Sequence, residues 1–319
     1  MTAQRLVYYL DDQPGITRRR CGRGFTYLAP DGTTIDRGAE RTRLEALAVP
    51  PAYQEVWMSP LTNGHLQATG RDDRRRKQYR YHPDWVAARA ADKFADLPAF
   101  GQGLPRLRRR VRRDLKEDVG EERFALAAAV ALMDRMALRA GMPGYAEENG
   151  TYGVLTLKRR HLRLDGARVR LDYTAKGGKR VRQSRTDRTL ARALEAAQDH
   201  GGATLLSWVD SGGAVRPLSS GALNAYLSDS VGAEATAKTF RTWAGTVAAF
   251  DIAQKGEASI KAMAEAAAER LHNTPAIARS SYVHPKVIEL AGTGWSNDAI
   301  PRDGMSRAEA GLLSYLEAE

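Results

Sequence analysis

Few residue types that carry hydrolytic or redox chemistry stand at working spacings in this chain. The six histidines, at positions 65, 82, 161, 200, 272 and 284, are scattered, and none belongs to an HExxH or other ligand pattern. Cys21 is the single cysteine, which excludes an intrachain disulfide and a cysteine-based zinc site. Gly178-Lys179 is followed by Arg180 rather than Ser or Thr and lacks the upstream glycine of a phosphate-binding loop. A Gly-x-Ser-x-Gly elbow is also missing. The acidic pairs Asp72-Asp73 and Glu121-Glu122 are adjacent, so in regular structure their carboxylates point apart and make a poor metal pair. Abundant arginine, lysine and tyrosine remain, a set suited to phosphoryl transfer without a metal. Guanidinium forks can hold and neutralise non-bridging oxygens. A lysine of tuned pKa can protonate a leaving alkoxide. A tyrosine can be the nucleophile, but with an ordinary pKa of about 10 it needs an electropositive pocket to ionise.

The elements that must position such groups can be read from periodicity. Glu121 to Arg139 is rich in helix formers and apolar on most sides, which predicts a buried helix stopped by Gly141-Met142-Pro143-Gly144. Three strand-like runs follow, Gly153–Leu157, His161–Leu164 and Arg168–Thr174, with a hairpin signal at Asp165-Gly166. Val169, Leu171 and Tyr173 alternate with Arg168, Arg170 and Asp172, as in a half-buried strand. A turn at Lys176-Gly177-Gly178-Lys179 leads to a further strand from Val181, and from Asp187 the chain returns to helices. Asn273 or Thr274 caps and Pro275 opens a short helix reaching Tyr282, before Pro285.

Residues 1–90 predict an α+β module of short strands, punctuated by Pro30-Asp31-Gly32, Pro50-Pro51 and Asn63-Gly64. Pro98 to Pro105 (PAFGQGLP) is expected to be an exposed connector, with the domain boundary between 83 and 105. The expected division is a small β-rich domain over 1–90 and a larger, mainly helical domain with a small antiparallel sheet over 91–319.

Lys and Arg number 49 against 38 Asp and Glu, giving +11 and a pI near 9.8. Such an excess suits a polyanionic partner, because each neutralised phosphate releases counterions. On composition alone, a basic enzyme with a small anionic substrate is the alternative. Two basic stretches stand out. Arg71 to Tyr81 carries five Arg and one Lys against two Asp, with tyrosines interleaved, and Arg106 to Lys116 carries six Arg and one Lys against Asp114. The expected compartment is reducing and cytoplasmic, since there is one cysteine, no apolar N-terminal run and no membrane-length apolar stretch.

Several motifs in one order resemble the poxvirus and bacterial type IB topoisomerases. They are Met136-Ala137-Leu138-Arg139-Ala140-Gly141, then Glu147 to Leu157 (EENGTYGVLTL), Lys238 to Trp243 (KTFRTW) and Asn273 to Tyr282 (NTPAIARSSY). Gly70-Arg71-Asp72 and Lys77-Gln78-Tyr79 extend the likeness over most of the chain. The resemblance implies an α+β chain with the tyrosine recombinase/type IB topoisomerase catalytic fold, acting as a monomeric clamp on duplex DNA in the nucleoid, without a metal or small-molecule cofactor. By this likeness Tyr282 is the nucleophile, Arg139 and Arg241 the catalytic arginines, and Lys176 the general acid, with Lys179 its nearby competitor. Asn273 stands where poxvirus and eukaryotic relatives have His, and its amide can donate the same bond to a phosphate oxygen. His272 is adjacent, and a shift of one residue would exchange the two. The stretch from Arg241 to Asn273 is shorter than the family pattern, with the loss expected between Asp251 and Ile260. Arg71, Lys77, Tyr79, Tyr81, Tyr145 and Lys238 are implied DNA contacts, Tyr79 and Tyr81 from one face of a strand. The implied activity is relaxation of supercoils through a 3′-phosphotyrosyl link. The alternatives are a site-specific tyrosine recombinase, disfavoured by Lys238 in place of His and by no obvious exchanging arm after Glu289, and a non-catalytic DNA-binding protein.

Overall fold

Alternating strands and amphipathic helices sort this chain into two units, Met1–Phe94 and Ala95–Glu319, in a computed structural model. The structure describes residues 5–232, 235–256, 258–295 and 301–318, without the side chains of 90–93 and 145. Among these residues no helix is long and apolar enough to cross a membrane.

The first unit contains β1 (Ile16–Cys21), β2 (Gly24–Leu28), α1 (Ala39–Ala46), β3 (Gln54–Met58), β4 (Leu66–Arg71), β5 (Lys77–Tyr81) and α2 (Pro83–Ala95). The strands form one antiparallel sheet in the order β2-β1-β3-β4-β5. Ile16, Tyr27, Leu44, Val56, Met58 and Ala68 bury its inner face against α1. The alternation of β5, at the sheet edge, sets Lys77, Tyr79 and Tyr81 on one face. The two tyrosine rings stack with centroids 6.0 Å apart and remain 50% and 43% exposed, as the sequence pattern anticipates.

The second unit is a helical body carrying a small sheet. Its elements are α3 (Leu97–Asp114), α4 (Glu122–Met136), α5 (Pro143–Asn149), β6 (Leu162–Asp165), β7 (Arg168–Ala175), β8 (Lys179–Thr186), α6 (Arg188–Asp199), β9 (Ser207–Val209), β10 (Val215–Pro217), α7 (Ser220–Val231), α8 (Ala237–Ala253), α9 (Ile260–Leu271), α10 (Pro275–Tyr282), α11 (Pro285–Glu289) and α12 (Arg307–Glu317). Alanine-rich α4 is buried along nearly its whole length, with α3, α6, α7 and α8 packed around it. β6, β7 and β8 pair in chain order, and Gly166 supplies the positive φ that the β6–β7 turn requires. Lys176, Gly177 and Gly178 form the exposed tip between β7 and β8.

Three expectations fail here, each for a physical reason. Pro98 to Pro105 is no connector but the first half of α3, with Phe100, Gly101 and Leu104 buried. Its glycines are packing residues: a Cβ on Gly101 would lie 2.6 Å from the Trp243 ring, and one on Gly103 would lie 2.7 Å from Val231. The buried helix ends at Met136 rather than Arg139, because Ala137 turns into the left-handed region at φ 51°. Gly153–Leu157 is not a strand, since the N–H groups of Val154 and Leu155 bond the carbonyls of Arg139 and Ala140, and those of Thr156 and Leu157 turn back to Gly153. The short β9–β10 hairpin has no counterpart in the sequence reading.

Candidate active site

Helix C-termini leave carbonyls without intrahelical partners, and two such ends converge on one guanidinium. Arg241, in the second turn of α8, donates from Nη1 to the carbonyl of Ala137 at 2.5 Å and from Nη2 to that of Leu271 at 2.9 Å. Those carbonyls close α4 and α9, so two negative helix-dipole ends face the cation. Arg241 is 3% exposed, and its Nε has no partner among the described residues. Burial, followed by repulsion from Arg139, pushes its pKa down to about 10, which still leaves a cation at neutral pH.

Arg139 lies in the extended segment after α4. Its carbonyl and that of Ala140 accept from Val154 and Leu155, both at 2.8 Å. Gly141, at φ 81°, lets this segment lie on Gly153, where a Cβ would come 2.7 Å from the Gly153 nitrogen. So strapped, Arg139 donates from Nη2 to Oδ1 of Asn273 at 2.7 Å. Asn273 follows a left-handed cap on α9: His272 sits at φ 50°, and the Asn273 N–H bonds the Ala268 carbonyl at 2.9 Å. The Asn273 Nδ2 is buried and has no partner among the described residues. The adjacent His272 points its Nε2 to Gln183 Oε1 at 3.3 Å, whereas Asn273 meets Arg139.

Thr274 caps α10 through its hydroxyl, which accepts from the Ile277 N–H, and Pro275 opens the helix. Tyr282 closes it, half-buried, with its ring 5.1 Å from the Arg241 guanidinium carbon. Burial works against ionising the Tyr282 phenol. The Arg241 charge and hydrogen bond, with Arg139 and Lys238 behind them, outweigh it and bring the phenol below its ordinary value. The backbone of Tyr282 is fixed to α8. The Thr246 hydroxyl shares its proton between the Thr242 carbonyl at 2.7 Å and the Tyr282 carbonyl at 3.1 Å, and accepts from the His284 N–H at 3.1 Å. At Gly245 an added Cβ would lie 2.8 Å from Leu271 Cδ1 and 3.0 Å from the Tyr282 carbonyl oxygen. Gly245→Ala is therefore expected to cost roughly 1–3 kcal/mol of stability by overpacking. Thermal unfolding checks this, and a variant as stable as wild type would mean that α10 yields without cost.

Lys238, exposed in the first turn of α8, is brought to this cluster, as its effect on Tyr282 requires. The two hairpin lysines divide. Lys179 reaches the Asn273 carbonyl with Nζ at 3.4 Å, whereas Lys176 is exposed at the hairpin tip. Tyr173, on β7, is buried near Arg139 and Arg241; burial first raises its phenol, and the two arginines oppose this. Gly245, Thr246 and Gln183 are absent from the sequence reading, and Tyr173 enters it only as an inward residue of a strand. Gly245 stands one turn beyond Arg241 on the same helical face, a spacing that could have pointed to it.

Lys77 pairs with Asp11 at 2.6 Å and Arg71 with Glu55 at 2.7 Å, so both cations are held at the sheet edge by acids. Asp11 also accepts from Thr69, on β4. Tyr145 lies on α5, but its side chain falls outside the described residues.

Comparison with known proteins adds an independent line. Residues 24–72 match the family model for the N-terminal domain of bacterial DNA topoisomerase IB, and residues 82–279 match that for the catalytic core of eukaryotic DNA topoisomerase I. The DNA topoisomerase 1B of Acanthamoeba polyphaga mimivirus is 24% identical over 292 residues, covering 86% of this chain and 87% of that protein. The DNA topoisomerase 1B of Vaccinia virus (strain Copenhagen) is 25% identical over 124 residues, 39% of each chain.

Proposed function

Because the chain belongs to the type IB DNA topoisomerase family, a family of isomerases, we propose that it relaxes supercoiled duplex DNA by cutting and resealing one strand through Tyr282. The Tyr282 oxygen attacks the scissile phosphorus as the bond to the 5′-oxygen breaks, giving a 3′-phosphotyrosyl ester and a free 5′-hydroxyl. The new ester conserves the energy of the bond it replaces, so religation is the same step reversed and needs no ATP. Torsion escapes by rotation of the free end in between. Arg139, Arg241 and Asn273 hold the non-bridging oxygens, and the two arginines supply the positive charge that a metal would otherwise provide. This reading places the second unit in the tyrosine recombinase/type IB topoisomerase catalytic fold and treats the chain as a monomer acting on nucleoid DNA. Both units take hold of the duplex, the first through Arg71, Lys77, Tyr79 and Tyr81, the second through Lys238 and Tyr145.

One observation carries the reading. Arg241 Nε and Asn273 Nδ2 are buried donors without partners among the described residues, in the cluster that lowers the Tyr282 phenol. Buried donors are normally satisfied, and two left open beside one nucleophile suit an incoming phosphate. A recombinase would use similar groups, but α12 returns onto the unit's own α3 and α8, where Glu309 accepts from Arg108 and Trp243. A segment so engaged does not serve as an arm for exchange with a second copy.

The proton for the leaving 5′-oxygen is assigned to Lys176. Lys176→Ala should slow cleavage of an ordinary duplex at least about a hundredfold, as expected for loss of a general acid. A duplex with sulfur in place of the bridging 5′-oxygen needs no protonation and should restore the rate. Lys179→Ala should leave both rates near wild type. If sulfur rescues Lys179→Ala and not Lys176→Ala, the role passes to the lysine held at the Asn273 carbonyl.

A further inference from the structure

The face of α8 turned away from Arg241, Gly245 and Thr246 borders a cavity of about 520 Å³. Phe240, Trp243, Val247 and Ala248 give it one apolar wall. The facing wall carries arginines from α3, α4, β8 and α9, which differ in electrostatic standing. Arg108 is clamped between Asp134 at 2.7 Å and Glu309 at 2.8 Å, which hold its charge firmly. Arg135 pairs with Asp187. Asp251, the remaining acid of the lining, pairs with Lys255 at 3.2 Å.

Arg112, Arg185 and Arg270 are left. Among the described residues no carboxylate lies within ion-pair distance of any of them. Arg185 and Arg270 both donate to the single carbonyl of Arg135, at 3.3 and 3.1 Å, and Arg270 also donates to that of Asp134 at 3.3 Å. Burial, then the neighbouring Arg185, lowers the Arg270 guanidinium from its ordinary value, against the opposing pull of Asp134 and Glu309. Like charges converging on one neutral oxygen disfavour their own charged forms, and an anion at the same place reverses the sign.

We propose that this cavity binds a phosphate-bearing anion of nucleotide size. Its phosphate sits on Arg112, Arg185 and Arg270 and its flatter, less polar part lies along the α8 wall. A volume of about 500 Å³ is in the range of small-molecule sites. The lining carries five arginines against three acids, so its net charge favours an anion. The same chemistry could be met by a free nucleotide or by a backbone phosphate of bound DNA. None of the lining groups is assigned to strand cleavage, so this site stands or falls independently of Tyr282.

Calorimetric titration of the intact chain with ADP, in low salt with EDTA, tests the site. Wild type should show saturable binding of one ADP. Arg185→Gln, at an exposed position, should weaken it by about tenfold through loss of one charge-assisted contact. Ala248→Phe, which fills the cavity without changing charge, should remove it. Arg188→Gln, an exposed arginine outside the lining, should leave it unchanged. Circular dichroism would establish that each variant is folded. Absence of saturable binding by wild type, or equal binding by Arg185→Gln and Ala248→Phe, would overturn the proposal. Repeating the titration on protein saturated with a short duplex separates the sources. Unchanged affinity upholds a free-ligand site, and lost affinity upholds a seat for a DNA phosphate.

Discussion

Tyr282→Phe is expected to abolish relaxation of a supercoiled plasmid in EDTA without ATP, while leaving DNA binding and the unfolding midpoint close to wild type. The substitution removes one oxygen and keeps the ring. Tyr282 is attached to α8 through its backbone, at the Thr246 hydroxyl and against Gly245, and through one hydrogen bond of its phenol with Arg241. Packing is therefore preserved, and the stability change should stay within about 1 kcal/mol, the worth of one hydrogen bond. Chemistry has no such reserve, because no covalent intermediate can form without the phenol oxygen. Wild-type protein quenched with detergent should carry DNA covalently, and the variant should carry none. The phenol acts when ionised and its pKa is lowered, so adduct formation should rise with pH through a midpoint below the ordinary tyrosine value of about 10. Relaxation by the variant would remove Tyr282 from the mechanism. DNA binding by wild type without relaxation would favour the recombinase or the non-catalytic reading.

The second large effect separates the two arginines. Arg139→Ala and Arg241→Ala should each slow cleavage at least a hundredfold, since a well-placed donor at a developing charge contributes about 3–4 kcal/mol. Their consequences for the fold should differ. Arg139 is half-buried and its side chain bonds Asn273. Arg241 is buried and closes the carbonyls of Ala137 and Leu271. Its removal strands two buried acceptors, at about 1–3 kcal/mol each. Chemical denaturation should therefore place Arg139→Ala near wild type and Arg241→Ala several kcal/mol below it. Equal stability of the two variants would contradict the double cap.

The order of motifs from Arg139 to Tyr282 was legible because each rests on local chemistry. Thr274-Pro275 starts a helix that ends at Tyr282, and alternation around Tyr173 writes out β7. What stayed hidden depends on partners distant in the chain. Proline and glycine in residues 98–105 read as a loop, yet Gly101 is small because Trp243 lies on it, a contact that spacing cannot foretell. The run Gly153–Leu157 has a strand's composition, but its N–H groups are taken by Arg139 and Ala140. Arg241 could be picked out as a cation by its motif, but its role as a cap for α4 and α9 could not, because both acceptors are backbone carbonyls. The alternative between Lys176 and Lys179 was visible in the hairpin, but only the fold draws Lys179 towards Asn273.

The double cap has a consequence for safety. An enzyme that cuts chromosomal strands is hazardous when only partly folded, since a loose but reactive chain would nick without resealing. Here the cation beside Tyr282 is also the bolt between the ends of α4 and α9. On the proposed mechanism, fraying that parts those helices also takes from Tyr282 the charge that favours its ionised phenol.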